Sequence, residues 1–221
     1  MTIELSVHKE QGVEPKAQQK QHPDILNILY DNRFHIKNKF SSVIGFYEIN
    51  HISITIIDPS NETIVFSTTP NIEYHLITKD LWKHDLTISP HAHRNNELIW
   101  WDMDDINPHF NQIDNIKKQR NNYTLGMSLA RKIDGFCIIY SFATKSDEAN
   151  LKSYYISNID RLYDIGDHCY KSIRDIYSSY CRHHTAPRII DFTNFDATIK
   201  SKPYLQLVVN NSYLKGNVNY E

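Results

Sequence analysis

The chain has 221 residues, 40% of them hydrophobic and 23% charged, and a formal net charge of −2. That length builds one substantial domain or two small ones, and the near-neutral balance lacks the basic excess or stripe of a nucleic-acid binder. A membrane-spanning helix needs about 20 mostly apolar residues, whereas apolar runs here stop after a few, as in Phe136-Cys137-Ile138-Ile139-Tyr140. Three scattered cysteines, Cys137, Cys169 and Cys181, make no disulfide framework and fit reduced thiols. Met1-Thr2-Ile3-Glu4 opens without the basic and apolar blocks of a signal peptide. A soluble cytoplasmic protein of the α/β or α+β class is the expectation.

In chain order, residues 1–22 mix Lys9, Lys16 and Lys20 with Glu4, Glu10, Glu14 and glutamines. A segment that buries so little cannot offset its ordering entropy and reads as a flexible tail, although Ile3-Glu4-Leu5-Ser6-Val7 alternates as a short edge strand does. Pro23 suits a first helical position, and Ile25, Ile28, Leu29, Phe34 and Ile36 carry helical spacing to about Phe40. Ile52, Ile54 and Ile56 then alternate with polar neighbours, Asp58-Pro59-Ser60-Asn61 turns, and Ile64-Val65-Phe66 returns as the second arm of a hairpin. Pro70 and Glu73 open a helix burying Ile72, Leu76 and Leu81-Trp82. Residues 84–107 read as irregular or short-helical, with Trp100 and Trp101. A third helix covers residues 107–120 and buries Phe110, Ile113 and Ile116.

The strongest local signal follows. Leu125, Met127 and Leu129 alternate, Asp134-Gly135 predicts a type I′ turn, and residues 136–142 are rich in strand formers. Ser146-Asp147 caps a helix of roughly 30 residues, twice a common globular length, with a bend near Gly166. Its apolar stripe includes Leu151, Tyr155, Ile159, Leu162, Cys169, Ile173, Ile176 and Tyr180. After Pro187 come two strand-like pieces, 188–192 and 204–209. The order predicts an antiparallel sheet built from two hairpins, helices on both of its faces, and a long C-terminal helix. Residues 23–187 form the domain, and 188–221 an extension.

That element order resembles the ligand-sensing domain of LuxR-type quorum-sensing transcription regulators over residues 23–182. In that family a Trp, a Tyr, an Asp and a second Trp line the pocket for an acyl-homoserine lactone. Asp85 and Trp100, fifteen residues apart, stand at the matching Asp and second-Trp positions, and Gly126 and Gly135 match two family glycines. The family's first Trp falls at Ile72 and its Tyr at Leu76, so the two side chains that touch the lactone head are aliphatic here. Only 34 residues follow Pro187, without the helical periodicity and basic flanks of a recognition helix. The resemblance therefore implies a bacterial cytoplasmic sensory domain without its helix-turn-helix half. It would signal by contact with a homodimer partner or a regulator protein, not by binding DNA. Secretion as an effector stays open.

Asp85, Trp100 and Trp101 are the centre of the expected site: a carboxylate accepts a hydrogen bond from a small, mostly apolar ligand, and indole supplies stacking area. Asp85 as a local helix cap, with one tryptophan plugging the core, is the structural alternative. Ile72, Leu76, Tyr47, Ile54, Phe66, Met127, Ile138 and Tyr140 are further lining candidates, or ordinary core. The pair His91 and His93 invites a metal reading, with His75, His84 and His109 nearby in sequence, yet no Cys or Glu completes a familiar ligand spacing. His183-His184 beside Cys181 has the same weakness. Adjacent helical residues diverge by about 100°, so His168 and Cys169 make a poor nucleophilic pair. No GxSxG, HExxH or glycine-rich phosphate loop occurs. The expectation is a protein without catalytic residues, cofactor or bound metal. The alternatives are a ligand-free interaction protein on the same scaffold and a metalloenzyme using the histidine pair. With 14 Tyr and 9 Phe, and Tyr154, Tyr155, Tyr163, Tyr170, Tyr177 and Tyr180 on several faces of the last helix, that helix predicts a covering partner. A second copy or the folded-back C-terminal strands would supply it.

Overall fold

The computed structural model describes residues 19–93, 98–103, 106–181 and 183–189. Its strands are β1 (Lys20–Gln21), β2 (Ile49–Ile57), β3 (Glu62–Ser67), β4 (Ile99–Trp100), β5 (Leu125–Ile133) and β6 (Phe136–Thr144). Its helices are α1 (Ile25–Asp31), α2 (Arg33–Phe40), α3 (Pro70–Thr78), α4 (Phe110–Lys117), α5 (Leu151–Ser157) and α6 (Ile159–Tyr180). The six strands form one sheet in the order β1-β3-β2-β6-β5-β4, antiparallel throughout except where β1 runs parallel to β3. Both hairpins and the mixed α/β architecture follow the sequence. The β5–β6 turn has Asp134 at φ 50° and Gly135 at φ 79°, the two left-handed residues a type I′ turn requires.

Two layers of helix cover the sheet, and the two faces differ in chemistry. On one, Ile52, Ile54, Ile56, Met127, Tyr140 and Phe142 pack against apolar residues of α2, α5 and α6 in a single large core. The other carries the alternate residues of the same strands: His51, Ser53, Thr55, Thr63, Ser128 and Ser141, all buried. Over this polar face lie α3 and α4, which join Ile72, Leu76, Ile113 and Ile116 to Trp101 and Ala143. α1 closes the edge by setting Ile25 and Leu29 on Val65.

Several expectations are corrected. The first helix is broken at Asn32, whose side-chain amide donates to the Ile28 carbonyl at 2.8 Å, giving α1 and α2. α3 ends at Thr78 because Asp80 takes a left-handed conformation (φ 56°), leaving Leu81 buried beyond the helix. Phe110 is half-buried. The last helix starts at Leu151 and is interrupted at Asn158, and α6 runs unbroken through Gly166. Gly166 instead lies against the Tyr140 ring, where an added Cβ would fall 2.1 Å from a ring carbon. The Tyr140 hydroxyl donates to Asp167 at 2.7 Å, and Arg131 pairs with the same carboxylate at 2.8 Å, fastening α6 to the sheet.

The aromatic girth of the last helix is taken up largely inside the chain. Tyr155 donates to the Tyr47 carbonyl (2.6 Å), Tyr163 to the Ala130 carbonyl (3.1 Å) and Tyr170 to the Pro187 carbonyl (2.9 Å), and Ala186 and Ile189 pack against the same core. The sheet begins at β1, within the segment expected as tail. Residues 1–18 of that tail with their Ile3–Val7 alternation, the 204–209 piece, and residues 190–192 lie outside the described residues.

Candidate functional site

Strand pairing decides which tryptophan meets Asp85. Trp100 pairs with Met127, so its side chain joins the apolar face, where the Lys152 ammonium stands 5.3 Å from its ring centre. Trp101 follows on the opposite face, its N–H bonded to the Gly126 carbonyl at 2.9 Å. Its indole lies over Gly126 so closely that a Cβ there would sit 2.1 Å from the ring. Indole N–H donates to Ser128 Oγ at 3.2 Å, and Ser128 and Ser141 share a hydrogen bond at 2.8 Å. Gly126, matched to the family on position alone, acquires a physical role as the floor beneath Trp101.

Between this polar face and α1, α3 and α4 lies a cavity of about 40 Å³. Ile72, Leu76, Asp85 and Trp101, four of the expected site residues, line it together. Trp100, Tyr47, Phe66, Met127 and Tyr140 belong to the large core beyond the sheet, as do Ile54 and Ile138. Side chains absent from the sequence expectation also line it, among them Gln21 from β1, His51, Ser53 and Thr55 from β2, Glu73 from α3 and Lys117 from α4.

Asp85 caps the single 3₁₀ turn Leu86–Ile88, its Oδ1 accepting from Thr87 N–H (3.1 Å) and Thr87 Oγ1 (2.7 Å). Lys117 Nζ reaches both carboxylate oxygens, at 3.2 and 2.9 Å, and Thr87 Oγ1 at 2.6 Å. The ion pair is buried, with side chains 5% and 3% exposed. The same ammonium lies 4.2 Å from the Trp101 ring centre, a cation–π contact in a dry setting. Burial lowers the Lys117 pKa and Asp85 opposes that shift. Ile113, Ile116 and Lys117 share one helix face at the i, i+3, i+4 spacing, the one sequence signal that this lysine points inward.

Two more titratable groups face the cavity. Burial pushes the Glu73 carboxyl up to about 7, against the favourable influence of its own N–H, Ser67, Ser53 and the Lys117 charge. Burial and Lys117 drive His51 down to about 3, so it is neutral, and its ring stacks edge-on against Trp101 at 5.9 Å. Glu73 Oε2 and His51 Nδ1 are buried without a hydrogen-bond partner among the described residues.

The expected histidine pair does not converge. His91 is exposed, while His93 is buried with Nε2 2.9 Å from the Thr87 carbonyl oxygen. Among the described residues no three metal-ligating side chains come together, and no helix is long and apolar enough to cross a membrane.

No family model matches the sequence, and no curated protein matches it. Among solved structures the chain is similar to SdiA of Escherichia coli, with 11% identity over 81% of this chain and 76% of that one and a TM-score of 0.48. It is likewise similar to SdiA in complex with octanoyl-rac-glycerol, with 10% identity, coverage of 81% and 74%, and a TM-score of 0.47.

Proposed function

We propose that this chain is a sensory domain that binds a small, mostly apolar molecule between its sheet and helices α3 and α4. The carrying observation is the cavity itself: apolar walls from Ile72, Leu76 and Trp101 surround buried polar atoms, Gln21 Nε2, Glu73 Oε2 and His51 Nδ1, that the described protein residues leave unpaired. Buried polar groups are almost always satisfied, and ligand sites combine apolar walls with a few placed polar groups.

The domain binds and does not turn over its ligand. Burial raises the Cys137 and Cys169 thiol pKa values, away from the thiolate a nucleophile needs. Output runs through protein contact, with a second copy or a regulator, and not through DNA; the net charge of −2 supports this. A thermal-shift screen of the full chain against acyl-homoserine lactones, fatty acids, medium-chain alcohols and octanoylglycerol tests the reading. A ligand at a hundredfold its Kd adds about 2.7 kcal/mol of stability, so a hit raises the melting temperature by several degrees.

The small volume of the cavity favours a second reading, an interaction protein that keeps the scaffold and needs no ligand. A screen without a stabilising compound, with a stoichiometric protein partner that survives Trp101→Ala, would select it.

A further inference from the structure

A cavity of about 40 Å³ has room for little more than water, so an organic molecule enters it only when a wall moves. The walls are held with unequal strength. On the α4 side Lys117 Nζ donates to both Asp85 oxygens and to Thr87 Oγ1. On the α1 side Ile25 and Leu29 are buried against Val65. The edge beyond β3 is closed by β1, a strand of two residues.

Lys20 N–H donates to the Asn61 carbonyl at 2.9 Å and His22 N–H to the Thr63 carbonyl at 3.0 Å, while Gln19 Nε2 reaches Thr63 Oγ1 at 3.0 Å. Gln21, between them, turns its side chain to the cavity, where Nε2 is buried without a partner among the described residues. An amide nitrogen carries two donors, and a buried donor left unpaired costs more than one made hydrogen bond returns. Release of β1 gives that amide water, and wets His51 Nδ1 and Glu73 Oε2 with it. The residue that completes the wall therefore opposes its closure. A turn into the anchored helix follows at once, with Ile25 N–H bonded to the His22 carbonyl at 3.0 Å.

We propose that β1 is a strap that opens the cavity at the β3 edge, pivoting at His22 and Pro23 and admitting ligand past Thr63 and Val65. The admission of ligand rests on the cavity being a ligand site. The opening itself is a property of the chain and needs no ligand, in keeping with local openings that expose far less than global unfolding does.

The test is alkylation of the full chain by iodoacetamide, with Thr55→Cys supplying a thiol on the cavity wall and native Cys169, buried in the large core, reporting global unfolding. The introduced thiol should react at least tenfold faster than Cys169 in the same molecules. Gln21→Met, which removes the unpaired donor, should slow it roughly tenfold, and Lys20→Pro, which deletes the N–H bonded to Asn61, should speed it. Gly166→Ala, which weakens the far side of the sheet, should speed Cys169 alone. Equal rates for the two thiols, both raised by Gly166→Ala, would overturn the strap because the cavity then opens only on unfolding. A fast cavity thiol indifferent to Gln21→Met and Lys20→Pro would overturn it too, because another wall then moves. Neither result touches the cavity as a ligand site, which the thermal-shift screen decides separately.

Discussion

Lys117 Nζ stands 2.9 Å from Asp85 Oδ2 inside the protein, joining the end of α4 to the turn that follows α3. A buried ion pair contributes little net stability relative to an apolar pair, but breaking one side of it is costly. Here it fixes geometry: the ammonium is shared with Thr87 and the Trp101 face, so one cation sets the positions of three cavity walls.

Asp85→Asn or Lys117→Met alone should each destabilise the fold by ~3–5 kcal/mol, because each strands a buried charge or donor. The double variant should recover most of that loss. Urea denaturation of the four proteins measures the coupling; additive losses would show that the two residues act independently.

Gly126→Ala should cost ~1–3 kcal/mol, since its Cβ would fall 2.1 Å from the Trp101 ring and the indole must move. In a Trp101→Ala background the same change should be nearly neutral. Equal losses in both backgrounds would contradict the packing of indole on glycine.

Glu73 gives the stability curve a defined sign. Its pKa rises on folding from 4.5 to about 7, so the folded chain holds a proton that the unfolded chain has released. Its contribution is fully present below pH 4.5 and is lost as the pH rises through 7, on the order of 3 kcal/mol by linkage. His51 acts the other way: with its pKa lowered from 6.5 to about 3, its contribution is present above pH 6.5 and lost as the pH falls through 3. Glu73→Gln removes only the first effect. Relative to wild type it should therefore gain stability between pH 4.5 and pH 8; parallel curves for the two proteins would contradict the assignment.

Local chemistry made much of this fold legible. Asp134-Gly135 specified its turn because both residues tolerate positive φ, and the alternation of Ile52, Ile54 and Ile56 specified a strand with one apolar face. The same alternation hid the site, since His51, Ser53 and Thr55 look like a solvated face until α3 and α4 are placed over them. Trp100 and Trp101 are adjacent, and a shift of one residue along a strand exchanges the two sides of the sheet. Only the pairing of Trp100 with Met127 decides between them. Lys117 was obscured by its charge, although its spacing from Ile113 placed it on the buried face. β1 pairs with Glu62 and Thr63 some forty residues away, a contact no local pattern encodes.

The proposed ligand site lies on the Trp101 side of the sheet. Methyl and indole NMR signals followed during titration with 1-hexanol test it most directly. Shifts are expected at Ile25, Ile72, Leu76 and the Trp101 indole N–H, which surround the cavity, with Met127 and Ile54 beyond the sheet unmoved. Shifts centred on Met127, Ile54 and Trp100, with the Trp101 signal unchanged, would contradict it.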